Sequence, residues 1–300
     1  MRVPYDDLPA VLHDWIEGVL GAPVVAATTQ IGGFSPGVAA RLRCSDGTRA
    51  FVKAVSADVN PDSPALHRRE AEVLRLLPDD LPVPRLLASY DEPPWMALLV
   101  DDVEGRQPTL PWNDDELDRM LALTRAVGEA RGLPLEPATE DLRRWTGWSR
   151  FAADGTTPND EWARRNFDAL LALEAGAPDA AAGDHLVHLD VRADNVLLSP
   201  SRAWLVDWPW AVAGPRWLDV VASAPAVAMQ GGPSPEAFLL RSGLVGPDDD
   251  EAVTAVVAAF IGMLTWLAQL PPPPGLPTVR VFQAAQAEIG LRWLAGRLAL

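Results

Sequence analysis

Along residues 8–20, apolar side chains fall at Leu8, Val11, Leu12, Trp15, Ile16, Val19 and Leu20. Intervals of three and four put them on one helical face, so an amphipathic helix is predicted to open the chain. The period then shortens. Residues 24–30, 37–43 and 49–55 read as strands, and Ser45-Asp46-Gly47 supplies the turn that makes the last two a hairpin. A second helix is predicted from residue 63 or 65 to 77, then the connector Leu81-Pro82-Val83-Pro84 and an apolar strand over 96–100. Together these form a β-rich region with one important helix.

Beyond Asp101-Asp102-Val103-Glu104-Gly105 helical periodicity takes over, with helices predicted over 115–133, 160–176, 215–229, 251–270 and from 279 onward. A pair of short apolar strands, 185–187 and 203–206, interrupts them, and the segment around Trp145 and Trp148 reads as a loop. This change of character divides the chain into an N-terminal region, 1–102, and a mostly helical C-terminal region, 103–300, an α+β fold class. Pro271 to Pro274 reads as a stiff connector. Asp248-Asp249-Asp250-Glu251 reads as a solvated helix N-terminus, favoured by the helix dipole.

Composition narrows the class. A chain of 300 residues, 48% hydrophobic and 22% charged, buries a proper core and is unlike a disordered polymer. Its single cysteine, Cys44, excludes an internal disulfide framework. The apolar run 252–268 is about as short as a membrane span can be and contains Thr254, Gly262 and Thr265, so a buried helix is expected. The first twenty residues mix acids with apolar positions and lack the basic start of a signal peptide; cytoplasmic residence and no membrane partner are expected. A net charge of −16 argues against a nucleic-acid partner. It suits a cationic small molecule, or serves solubility alone.

The chemistry concentrates in His188-Leu189-Asp190-Val191-Arg192-Ala193-Asp194-Asn195, followed by Leu205-Val206-Asp207-Trp208. Phosphoryl transfer needs an acceptor for the nucleophile's proton and oxygen ligands for Mg2+ beside the phosphates. An Asp and an Asn five apart in one loop, with a second Asp ending a nearby strand, meet that need.

On these residues the chain resembles the aminoglycoside phosphotransferase and choline kinase-like family, a branch of the protein-kinase-like fold. The resemblance covers nearly the whole chain. It implies a two-lobed fold in which the loop within residues 32–42, with Gly33, Ser35 and Gly37, lies over the nucleotide phosphates. Lys53 in FVKAV would bind phosphate, with Glu70 as its partner; Glu72 is the competing acid but is out of step with the apolar face of Val73, Leu74 and Leu77. Val100 and Asp101 would form the hinge whose backbone holds the purine of ATP or GTP. Asp190 would accept the proton of the substrate hydroxyl, and Asn195 and Asp207 would hold Mg2+. His188 would brace the loop. Arg192 would either contact the transferring phosphoryl group or pair with Asp194 at the surface. Asp219 would either brace the loop from beneath or face solvent.

Two departures from the family stand out. Leu189 occupies a position where many members have Gly, and Trp208-Pro209-Trp210 follows the metal-binding Asp. Proline fixes the backbone there, which argues against a flipping activation segment and so against a protein kinase. Direct transfer without a phosphoenzyme is expected. Trp208, Trp210, Trp145 and Trp148 are the aromatic candidates for a pocket taking a small-molecule hydroxyl acceptor. The expected role is antibiotic inactivation, with an aminoglycoside- or nucleoside-like acceptor. The alternatives are a metabolic kinase for a choline-, homoserine- or sugar-like acceptor, and a nucleotide-binding pseudokinase acting through a protein partner.

Overall fold

A computed structural model describes residues 3–30, 37–274 and 276–298. The chain divides into two units. The first comprises Met1–Gln107, Leu197–Trp210 and Pro273–Pro277; the second comprises Pro108–Val196, Ala211–Pro272 and Thr278–Leu300. The first break falls after Gln107. Two later segments also return to the first unit, for reasons visible in its hydrogen bonds. Arg106 and Leu198 exchange backbone bonds of 3.0 and 2.7 Å, and the Leu205 N–H donates to the Pro82 carbonyl at 2.9 Å. Asn60 Nδ2 donates to the Pro274 carbonyl at 3.0 Å.

The first unit is built on an antiparallel sheet. Its strands are β1 (Val24–Thr29), β2 (Val38–Cys44), β3 (Arg49–Ser56), β4 (Leu86–Glu92) and β5 (Trp95–Val100), in the order β1-β2-β3-β5-β4. Strand β4 is absent from the sequence expectation because its residues are mostly half-exposed and lack a clean alternation. Helix α1 (Ala10–Leu20) lays Leu12 and Ile16 on one face of the sheet, against Val38, Ala40, Leu42, Val52, Ala54 and Leu99. Helix α2 (Ser63–Leu76) covers the other face, where Ala71 meets Val55, Met96 and Leu98. Side chains alternate along a strand, so Lys53, between Val52 and Ala54 and opposite Leu98, faces α2.

The second unit is mostly helical: α3 (Asp114–Val127), α4 (Ala138–Leu142), α5 (Gly147–Ala153), α6 (Glu161–Arg165), α7 (Phe167–Ala180), α8 (Leu218–Met229), α9 (Pro235–Ser242), α10 (Asp250–Leu267) and α11 (Val279–Leu298). Between α7 and α8 run β6 (His185–Val187), β7 (Val196–Leu198), β8 (Ala203–Leu205) and β9 (Val212–Gly214). Strand β6 pairs with β9, and β7 pairs with β8. The two predicted short strands therefore belong to different ribbons, each with a partner too short to read from sequence. By length and composition, Pro247–Leu267 is a helix that could cross a membrane; most of its apolar window is buried, and α10 packs against α5, α7, α8 and α11.

The tryptophans correct the sequence reading. Trp148 lies in α5, not in a loop, and is fully buried, with its indole N–H donating to the Ala258 carbonyl at 2.8 Å. Trp208 is also fully buried and donates to the Leu205 carbonyl at 2.9 Å. Neither face is open to an acceptor. Trp145 leans on Phe260, and Trp210 is exposed.

Candidate active site

In the first unit, the face of β3 that meets α2 brings Lys53 to Glu70. Nζ lies 2.7 and 2.8 Å from the two Glu70 carboxylate oxygens and 2.5 Å from Asp207 Oδ1. Glu72 points outward and is exposed, as expected from its phase on α2. Glu70 is buried and also accepts the Trp208 N–H at 3.3 Å. Burial opposes the Lys53 charge, but the Asp207 and Glu70 carboxylates outweigh it and hold the ammonium above its usual range. Burial raises the Glu70 carboxyl, and Asp207 adds to that, against the pull of Lys53.

Asp207 has φ of +71°, a left-handed backbone that an aspartate tolerates better than most residues. Gly37 needs to be glycine: with φ of +100°, an added Cβ would sit 2.3 Å from the Ala54 carbonyl oxygen. Gly33 and Ser35 lie outside the described residues. Val100 closes β5 opposite Phe51 and Leu86. The Asp101 N–H donates to the Arg85 carbonyl at 3.0 Å, and its carboxylate pairs with Arg85. The next residue anchors this segment: Asp102 has a buried side chain gripped by Arg41 and Arg49. Sequence reasoning did not single out that cluster.

In the second unit, the loop from His188 to Asn195 is held from beneath and from its own far end. Asp219, in the first turn of α8, accepts the backbone N–H of His188 at 3.0 Å and of Leu189 at 2.7 Å. It is buried, so it braces the loop and does not face solvent. Burial lifts its carboxyl to about 6, with the two backbone donors pulling the other way. The bracing matters because Leu189 has φ of +63°, a conformation that costs a residue with a Cβ roughly 1–2 kcal/mol. His188 is fully buried, and its Nδ1 accepts the Asp190 N–H at 3.2 Å. That is a brace.

Asn195 Nδ2 donates to the Asp190 carbonyl at 2.9 Å and to its Oδ2 at 3.0 Å. The amide nitrogen is directed at Asp190, which leaves the amide carbonyl as the oxygen suited to a hard cation. That oxygen is of a type that fits Mg2+, and in the first unit the carboxylate of Asp207 is another. Arg192 pairs with Asp194, one of the two alternatives, but also with Asp190 at 2.9 Å, and it is mostly buried and not at the surface.

The family model described as "Phosphotransferase enzyme family" matches residues 32–255. The chain belongs to that family. It is a phosphotransferase by family, with an α+β, protein-kinase-like fold. No curated protein sequence matches it significantly. Among solved structures, it is similar to a thermostable mutant of aminoglycoside phosphotransferase APH(4)-Ia in complex with ADP and hygromycin B. The TM-score is 0.62 at 14% identity, over 95% of this chain and 98% of that one. It is also similar to aminoglycoside phosphotransferase APH(3'')-Id from Streptomyces rimosus, in complex with ADP and streptomycin. There the TM-score is 0.53 at 20% identity, over 86% and 98% of the chains. A fructosamine-3-kinase candidate from Haemophilus somnus matches with a TM-score of 0.61 at 11% identity, over 96% of both chains. At these identities the likeness establishes the fold of the family.

Proposed function

We propose that the protein transfers the γ-phosphoryl group of ATP or GTP, with Mg2+, to a hydroxyl of a small molecule, and that the acceptor is an aminoglycoside- or nucleoside-like antibiotic. The observation that carries the reading is the loop at Asp190: Asn195 holds the Asp190 carboxylate, and Asp219 holds the backbone N–H groups of His188 and Leu189 just before it. In the reaction, the acceptor oxygen bonds to the γ-phosphorus as the bond from that phosphorus to the bridging oxygen breaks. A nucleoside diphosphate leaves, and the hydroxyl proton passes to Asp190. Asn195 and Asp207 are the Mg2+ ligands in this reading, and the ion neutralises charge on the phosphates when bound. Lys53, steadied by Glu70, binds the phosphates beside the loop of Gly33, Ser35 and Gly37. Backbone groups of Val100 and Asp101 hold the purine. Cytoplasmic residence belongs to the same reading, since nucleoside triphosphates are found there.

The antibiotic reading is supported by the relatives crystallised with hygromycin B and streptomycin. A metabolic acceptor is the second reading, supported by the likeness to the fructosamine-3-kinase candidate. Mass spectrometry of pooled hydroxyl compounds separates them. The pool holds aminoglycosides, nucleoside antibiotics, macrolides, choline, homoserine and sugars, incubated with protein, Mg2+ and ATP or GTP. We expect one antibiotic to gain a phosphoryl group, and Asp190→Asn to slow that gain by about 10²- to 10⁴-fold. Phosphorylation of choline, homoserine or a sugar instead would favour the metabolic reading. Magnesium-dependent nucleotide binding with no phosphorylated product would favour a pseudokinase.

A further inference from the structure

The guanidinium of Arg192 is engaged on three sides. Nη1 lies 2.9 Å from Asp190 Oδ1. Nε and Nη2 make two parallel bonds of 3.0 Å to the Asp194 carboxylate. Across its face lies the ring of Phe282 on α11, with Cζ 5.5 Å from the ring centre. The side chain is 15% exposed.

Seen from Asp190, the arrangement is a clamp. One carboxylate oxygen faces Arg192, and the other receives the Asn195 amide at 3.0 Å. A carboxylate bonded at one oxygen still turns about its broad final torsion, whereas one bonded at both has its plane fixed. The fork of Arg is needed for this, because it reaches Asp190 and Asp194 together while its charged carbon lies over the Phe282 ring. A lysine ammonium has neither the plane nor the parallel donors.

We infer that Arg192 is a positioning residue acting through Asp190: it sets the plane of the carboxylate that receives the proton and is not a contact to the transferring phosphoryl group. The inference rests on the reading of Asp190 as proton acceptor. Asp194 and Phe282 form the back of the clamp, so α11 supports the loop through the ring that lies under the guanidinium carbon.

A double-mutant cycle tests it with the intact protein, using water as the hydroxyl acceptor. Phosphate release from ATP with Mg2+ is measured for wild type, Arg192→Met, Asp190→Asn and the double variant, and binding of the non-hydrolysable analogue AMP-PNP is measured by calorimetry. We expect Arg192→Met to slow release about 10- to 100-fold, with AMP-PNP affinity within about twofold of wild type and Arg192→Lys recovering little of the rate. The double variant should be no slower than Asp190→Asn, because Arg192 has nothing to position once the carboxylate is gone. Multiplying losses, or AMP-PNP binding weakened tenfold by Arg192→Met, would overturn the inference and make Arg192 a phosphate contact. An Asp190→Asn variant as fast as wild type would instead remove the proton-acceptor reading itself. Unchanged thermal midpoints separate these outcomes from misfolding.

Discussion

Asp219 sits in an environment far from that of a free side chain. Its carboxyl sits at about 6 against an ordinary 3.8, so the folded chain holds this proton more tightly than the unfolded one between those values. Stability from that proton is full below about pH 4 and is lost as pH rises through 6. From pH 8 down to pH 5, wild type should therefore gain about 1.4 kcal/mol relative to Asp219→Asn, which urea denaturation at the two pH values reads directly. An unchanged difference would place the carboxyl near its ordinary value. The adjacent Leu189 shows what sequence conveyed and what it did not. Its place after His188 was recognisable as a departure from glycine. That Asp219, thirty residues away, braces this loop was one of two alternatives the family resemblance left open; that it does so by accepting the Leu189 N–H was not foreseen. The spacing of Asp190 and Asn195 was legible because one short loop holds both; the second grip on Asp190 by Arg192 depends on a side-chain direction that no spacing specifies.

Elements with a strong period were the legible ones. The stripe of α1 and the apolar positions of β3 predicted those elements, while the pairing of Lys53 with Glu70 was implied by the family resemblance. Three-residue strands such as β7 and β9, and the five-residue α4, carry too few positions to show any period. Helix α5 is legible only after folding, because its N-terminus is capped from a distance. The N–H groups of Trp148 and Ser149 donate to Glu174 on α7, each at 2.8 Å. Its first residue, Gly147, lies so close to α10 that an added Cβ would come within 1.9 Å of the Gly262 carbonyl oxygen. Neither backbone can yield without loosening the Trp148 indole from Ala258. Gly147→Ala should cost about 1–3 kcal/mol, the usual range for overpacking, and lower the thermal midpoint. A midpoint equal to wild type would mean that α5 can shift freely on α10.

At the scale of the whole molecule, the net charge of −16 sets a field that no local pattern reveals. An anionic nucleotide approaches against this field, while a polycationic acceptor approaches with it. Screening should act on the two with opposite sign, since the Debye length falls from about 30 Å at 0.01 M salt to about 10 Å at 0.1 M. Over that range, the KM for a polycationic aminoglycoside should rise roughly threefold or more while the KM for magnesium nucleotide holds or falls, with kcat little changed. An uncharged acceptor should show no such rise. Initial rates at the two salt concentrations, each substrate varied in turn, make the measurement. A nucleotide KM that rose in parallel with that of the acceptor would show that local groups around Lys53, and not the overall charge, govern encounter. An acceptor KM that rose alone would tie the acidic surface to a cationic substrate and make its charge part of the enzyme's specificity.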